Sequence, residues 1–275
     1  MTRPVPEDKL RLGGMALRNG LLVHGPTHWA AAVRARDGSV KVASGPKPDF
    51  GSSRTERVPG LRGVTKLAEA FAVLPLVKRA LPQAQLPMQD VRTLGAVAAA
   101  AAGGRVLRGA PGAARSLGRE AAVAAVSLVP AIAALRSGDL ASYHGVEHKA
   151  IAAYESDGDA ADATKEHDRC GSNLVAPMLA STALGNVAVR RAGLRGPAAE
   201  GAVALGSMAF AVEVFAWGER HPDSIVARWL RKPGYEIQRA VGTREPTAEQ
   251  LEVGRAALDE ILRVEGAAPV VVARQ

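Results

Sequence analysis

His144, Glu147 and His148 stand in the order His-x-x-Glu-His, with two imidazoles four residues apart and a carboxylate beside the second. On an α-helix, positions i and i+4 lie about 40° apart around the axis, so both rings leave one face a turn apart. That spacing lets two ring nitrogens reach a single Zn²⁺ at about 2.0–2.1 Å. Glu147 flanks the same face. There it can take a proton from a water that the ion activates, or bind the ion itself. A helix carrying two surface histidines is the plain alternative, and the motif alone does not remove it.

Zinc takes three or four protein ligands, so further donors are required. Downstream, Glu166-His167-Asp168-Arg169-Cys170-Gly171 offers His167 and Cys170, three residues apart and able to meet at one ion across a turn. Cys170 is the only cysteine in the chain. A lone buried cysteine also serves as a small apolar filler. Either residue alternatively orients a ligand instead of binding. Glu213 interrupts the apolar run from Gly201 to Trp217. It is a third candidate, with a salt bridge to one of the many arginines as the alternative. His24 and His28 flank a Gly-Pro loop and read as ordinary loop or packing residues.

These donors need a rigid element to hold them. Asp139 is a suitable N-cap for a helix predicted over Leu140 to Glu155. Tyr143, Ile151 and Tyr154 share the side of that helix with Glu147, which predicts a partly buried carboxylate. Such a group is costly unless paired with a metal or a base. Gly145 inside the helix costs about 1 kcal/mol relative to alanine. It predicts close approach by another backbone or by a substrate.

The fold class predicted is α+β, mainly α. A β-rich segment and linker cover residues 13–59, a helical bundle with the His-x-x-Glu-His motif covers 60–246, and a C-terminal amphipathic helix covers 247–266. Trp29 to Ala35 and Ser39 to Ala43 read as strands joined at Asp37-Gly38, a strong hairpin signal. Residues 45–59 are rich in Gly, Pro and Ser and read as a loop. Helices follow over Lys66 to Leu81, with a break at Pro75, and over the alanine-rich Thr93 to Gly104. Residues 103–119 read as a connection, as do Arg228 to Arg244. Thr247 and Gln250 form a capping box at the start of the last helix.

The chain has 275 residues, 47% hydrophobic but only 4% aromatic, with a net charge of +8. Basic runs interleaved with aromatics are missing, so nucleic acid is not the expected partner. A single cysteine excludes an intrachain disulfide. The first ten residues carry charge and proline with no apolar core, so no signal peptide is expected. Apolar runs at 121–135, 173–189 and 201–217 approach the length of a spanning helix, about 20 residues. Arginines cluster near their ends, which suits a membrane anchor and equally a soluble bundle.

Four stretches together resemble one bacterial family, the domain of unknown function 1385. They are Gly13 to Ala16 with Gly25-Pro26 and Ala31 to Arg34; Leu61 to Val64 with Leu67 to Ala70; Tyr143 to Lys149 with Tyr154-Glu155 and Arg169 to Gly171; and Pro233-Gly234 with Gln238 and Thr243 to Pro246. Asp168 and Ser172 depart from the family pattern, which has Pro and Thr there. The apolar segments are also shorter and richer in Ala and Gly. The resemblance implies a metal-dependent enzyme or a membrane protein, with membrane lipid as a partner and the metal helix at the cytoplasmic surface; a cytoplasmic protein is the alternative. The motif is also that of inverted zincins, whose third ligand is a glutamate on a later helix. That likeness implies such a role for Glu213.

Two functions follow. In one, His144 and His148 bind Zn²⁺ or another divalent transition metal, His167, Cys170 or Glu213 completes the site, and Glu147 is the general base of a hydrolase whose substrate the sequence leaves open. In the other, the same residues form a structural metal site or polar network in a non-catalytic membrane or assembly protein. Self-association into a homo-oligomer is left open.

Overall fold

The computed structural model describes residues 9–51, 58, 60–109, 117–194 and 196–267. The parts of the expected terminal tails, the 45–59 loop and the 103–119 connection beyond these limits lie outside the described residues. The fold is α+β and mainly α, with a small sheet followed by helices.

The sheet is an antiparallel meander of β1 (Gly13–Leu17), β2 (Gly20–His24), β3 (His28–Arg34) and β4 (Val40–Pro46), in that order. The β3–β4 turn falls at Asp37-Gly38 as expected, with Gly38 at φ 82°, a region that glycine enters without a Cβ penalty. Alternation along β2 and β3 divides their side chains between two cores. Leu21, Val23, Ala30 and Ala32 face one side, and Leu22, Trp29, Ala31 and Val33 the other. Leu21 and Leu22 are wholly buried, each worth about 1.5–3 kcal/mol of transfer free energy.

Helix α1 (Leu61–Ala80) covers the second face through Val73, Val77 and, just past its end, Leu81. The expected break at Pro75 does not occur: α1 runs through it, forgoing one backbone hydrogen bond. Next come α2 (Val91–Gly109), α3 (Leu117–Ser127) and α4 (Val129–Leu135). Helix α2 therefore continues into the stretch expected to be a connection. The motif helix α5 (Leu140–Ser156) packs on the first sheet face through Tyr143, Val146, Ile151 and Tyr154. Asp139 occupies its N-cap position without a capping side-chain bond.

A 3₁₀ turn (Gly171–Leu174) leads into α6 (Val175–Arg191), followed by α7 (Pro197–Arg220). The supposed basic connection after it is a helix, α8 (Ile225–Ile237), closed by a π turn (Gln238–Gly242). Pro233 inside α8 hid it from a reading that treats proline as a breaker. Finally α9 (Ala248–Val264) begins with the expected capping box, Thr247 Oγ1 accepting from Gln250 N–H at 3.3 Å and Gln250 Oε1 from Thr247 N–H at 3.0 Å. Val253, Ala257, Leu258, Ile261 and Leu262 of α9 join the core formed by the sheet and α5. The motif helix and the C-terminal helix thus lie side by side on one sheet face, α5 over β1 and β2 and α9 over β2 to β4.

Among the described residues, three helical stretches are long and apolar enough to cross a membrane: Leu117–Leu135, Gly171–Arg191 and Pro197–Arg220. Large side chains on them, including Leu184, Leu205 and Phe210, are exposed.

Candidate metal centre

Helix α5 and the turn after Cys170 bring three donors together. The ligand atoms of His144, His148 and Cys170 all lie within 4.8 Å of one another. Cys170 Sγ is 3.3 Å from His144 Nε2. Tetrahedral bonds to zinc of about 2.3 Å from sulfur and 2.0–2.1 Å from nitrogen put donor edges at about 3.3–3.6 Å. The Cys170–His144 edge has about that length, and the three residues could hold such an ion.

The far side of each ring is fixed by backbone. His144 Nδ1 bonds the carbonyl of Gly242 at 2.8 Å, and His148 Nδ1 bonds the carbonyl of Lys165 at 2.6 Å. A carbonyl only accepts, so each Nδ1 carries the proton and each Nε2 keeps a free lone pair. This is the outer-shell arrangement that orients metal-binding histidines. Burial pushes the His148 imidazole below its usual range, opposed by Cys170, and so keeps the ring neutral.

Glu147 is buried beside the cluster, with Oε2 3.5 Å from His148 Nε2. Burial pushes its carboxyl upward, against the fields of His144, His167 and Arg169. Gly14 of β1 packs directly on this side chain: a Cβ there would lie 2.5 Å from Glu147 Cγ. The bare strand backbone makes room for the carboxylate.

The other candidates sit elsewhere. The His167 ring lies 5.6 Å from that of His148, centroid to centroid, but outside the three-donor group. Its Nδ1 accepts from Arg169 N–H at 3.2 Å, and its Nε2 faces Glu155 at 3.8 Å. Despite burial, which opposes it, contact with His167 and Arg169 holds the Glu155 carboxyl below its usual range. Glu213, on α7, accepts from the Gly60 N–H at 2.8 Å, at the N-terminus of α1. It is not among the donors brought together. His24 is half-buried with its Nδ1 enclosed, and desolvation, then Lys47, lowers it to about 4.

Sequence reasoning missed the groups that hold the donors. Gln238 clamps the loop before Cys170: its Oε1 accepts from His167 N–H at 2.7 Å, and its Nε2 donates to His167 O at 3.1 Å and Ser172 Oγ at 2.8 Å. The segment that leaves the π turn, residues 242–245, lies along α5. There Arg244 N–H bonds Ala141 O at 2.9 Å, and Glu245 pairs with the buried Lys149 at 2.6 Å. Gln238 and Thr243 to Glu245 were visible only through the family likeness. The Gly242 and Lys165 carbonyls left no side-chain signal.

Fold and site together define a mainly helical α+β protein whose motif helix contributes to a His/His/Cys candidate metal centre. Residues 123–264 match the model of the family described as Protein of unknown function (DUF1385). That is just over half the chain, and the protein belongs to this family. No curated protein and no solved structure matches the chain.

Proposed function

We propose that the protein is a metal-dependent hydrolase. His144, His148 and Cys170 hold a divalent transition metal, for which zinc suits the two nitrogens and the thiolate. Zinc in such a site supplies Lewis acidity and lowers the pKa of a water toward neutrality. Glu147 takes the proton of the attacking water and returns it to the leaving group; its upward shift brings it closer to the working range of a general base. The carbonyls of Gly242 and Lys165 keep both imidazoles in the tautomer that leaves Nε2 unprotonated. The observation that carries the reading is that both inward nitrogens converge with Cys170, while the carboxylate stands beside the group and outside it.

Metal content and turnover test it. Wild type, purified without an affinity-tag metal, is expected to hold about one zinc per chain, as a structural-strength site would. His144→Ala, His148→Ala and Cys170→Ser are expected to lose it. Glu147→Gln should keep the metal and lose turnover in a screen of ester, amide and phosphoester substrates. A folded wild type without metal overturns the proposal.

A second reading has its own support. His148, Cys170 and Glu147 are 2%, 8% and 7% exposed. Such enclosure favours a structural centre tying α5 to the loop before α6, in which case Glu147→Gln changes stability alone.

We also propose that the three apolar stretches are embedded in a bilayer. Their ends at Leu135 and Gly171 adjoin α5 and Cys170 in sequence, and α8, which follows Arg220, packs against the 3₁₀ turn after Cys170. All three stretches therefore turn one end toward the candidate metal centre, which supports a site at the membrane surface; that this surface is the cytoplasmic one is what the family resemblance implies. Membrane lipid is the partner this implies. Nucleic acid is not.

A further inference from the structure

Helix α8 has two different sides. Inward, Ala227 and Gly234 are buried against α7 and the 3₁₀ turn, and a Cβ on Gly234 would overlap Asn173. Arg231 reaches back to Gly218 O at 3.4 Å, Pro222 O at 3.1 Å and Asp168 at 3.7 Å. Outward, Ile225, Val226 and Trp229 are 64%, 57% and 69% exposed. At 100° per residue these three occupy one sector, and Arg228 and Lys232 the sector beside it. Lys232 Nζ stands 5.5 Å from the Trp229 ring centroid.

Large apolar side chains held in the open by a well-anchored backbone need a cover. Three observations say what kind. The helix follows directly on α7, one of the apolar stretches long enough to span. Its apolar sector has Trp229 near the centre and is bordered on one side by Arg228 and Lys232, while Glu236, two turns further along the same sector, is paired with Arg239. This is the make-up of a helix lying in the plane of a bilayer interface, its cations among lipid headgroups and its apolar sector at the acyl boundary.

We infer that α8 is an interfacial helix that docks on an anionic lipid surface. The inference rests on the membrane reading above. It adds a consequence for the site: the inward side of α8 holds residues 168–173, so the helix on the lipid also braces the loop that carries Cys170. Ser172 Oγ bonds Gly234 O at 3.2 Å, and Gln238, immediately beyond α8, clamps His167.

The test uses full-length protein reconstituted in phosphatidylglycerol vesicles containing lipids brominated near the headgroup, which quench nearby tryptophan. The chain has three tryptophans, of which Trp29 is buried in the sheet and Trp217 lies in α7. Quenching of wild type is expected, with most of it lost in Trp229→Phe. Charge reversal in Arg228→Glu with Lys232→Glu should cut the Trp229 component by roughly half or more in phosphatidylglycerol vesicles and much less in phosphatidylcholine. Quenching that survives Trp229→Phe and vanishes in Trp217→Phe overturns α8 docking while leaving the spans intact. No quenching in any protein overturns both readings. Trp229 shielded in a detergent-solubilised dimer and exposed in the monomer assigns the face to a second copy and overturns the lipid assignment.

Discussion

The carbonyl oxygen of Arg244 occupies the space a side chain on Gly145 would need. Residue 145 lies between the two motif histidines, and the strap that crosses it, residues 242–245, is the same one whose Gly242 carbonyl holds His144 Nδ1. The glycine therefore lets a backbone lie flat on the motif helix and fix the first donor.

Alanine at this position tests that relationship. Helix propensity alone favours Gly145→Ala by about 1 kcal/mol. Displacing a backbone carbonyl costs more, and a net loss of about 1–3 kcal/mol is expected. Thermal unfolding should show it, together with a fall in bound metal, because the strap cannot move without releasing His144. Gly95 provides the contrast. Nothing lies within 4 Å of a Cβ there, so Gly95→Ala should stabilise α2 by about 0.5–1 kcal/mol with metal content unchanged. Equal effects at the two sites would sink the argument.

Gln238 should matter more than its distance from the donors suggests. It is 1% exposed and makes two hydrogen bonds to His167, in the loop that ends at Cys170, and one to Ser172 just after it. Gln238→Ala leaves the buried His167 N–H unpartnered, which costs about 1–3 kcal/mol. The expected outcome is a lower unfolding temperature and weaker metal retention on dilution into a mild chelator. Normal retention in a destabilised protein would separate the clamp from the centre.

Metal should stabilise the fold it completes. An ion that binds only the native state adds about 2.7 kcal/mol at a hundredfold excess over its dissociation constant. Stripping wild type with chelator is expected to lower the melting temperature, and adding zinc to restore it. The Cys170→Ser protein should respond weakly to either treatment. An identical response in Cys170→Ser would remove the cysteine from the ligand set.

His24 is expected to give the protein an acid sensitivity remote from the candidate metal centre. Its Nδ1 is buried without a hydrogen-bond partner, and its pKa falls from 6.5 to about 4 in the fold. Between those values the unfolded chain binds a proton that the folded chain refuses. Stability is therefore full above about 6.5 and drops as pH falls toward 4, by about 3 kcal/mol over the whole window. Replacing His24 with glutamine should flatten this part of the stability profile, read by denaturant unfolding at a series of pH values. An unchanged slope would assign the acid sensitivity to other groups.

Local chemistry in the sequence determined much of this. Helical spacing by itself put His144 and His148 on one face, since that depends only on 3.6 residues per turn. The Asp37-Gly38 turn and the Thr247/Gln250 capping box are likewise contained within a few residues, and both formed as read. Partial burial of Glu147 followed from the apolar residues sharing its side of α5. Which further donor joined the histidines could not be read this way. His167, Cys170 and Glu213 are all plausible ligands by type, and only the path of the loop brings Cys170 in, turns His167 toward Glu155 and leaves Glu213 on Gly60. The carbonyls that set both tautomers belong to residues 165 and 242, whose side chains have no part in the contact. Such contacts depend on where the backbone passes, and that is decided by the packing of α5 beside α9 on the sheet and by the strap laid across Gly145.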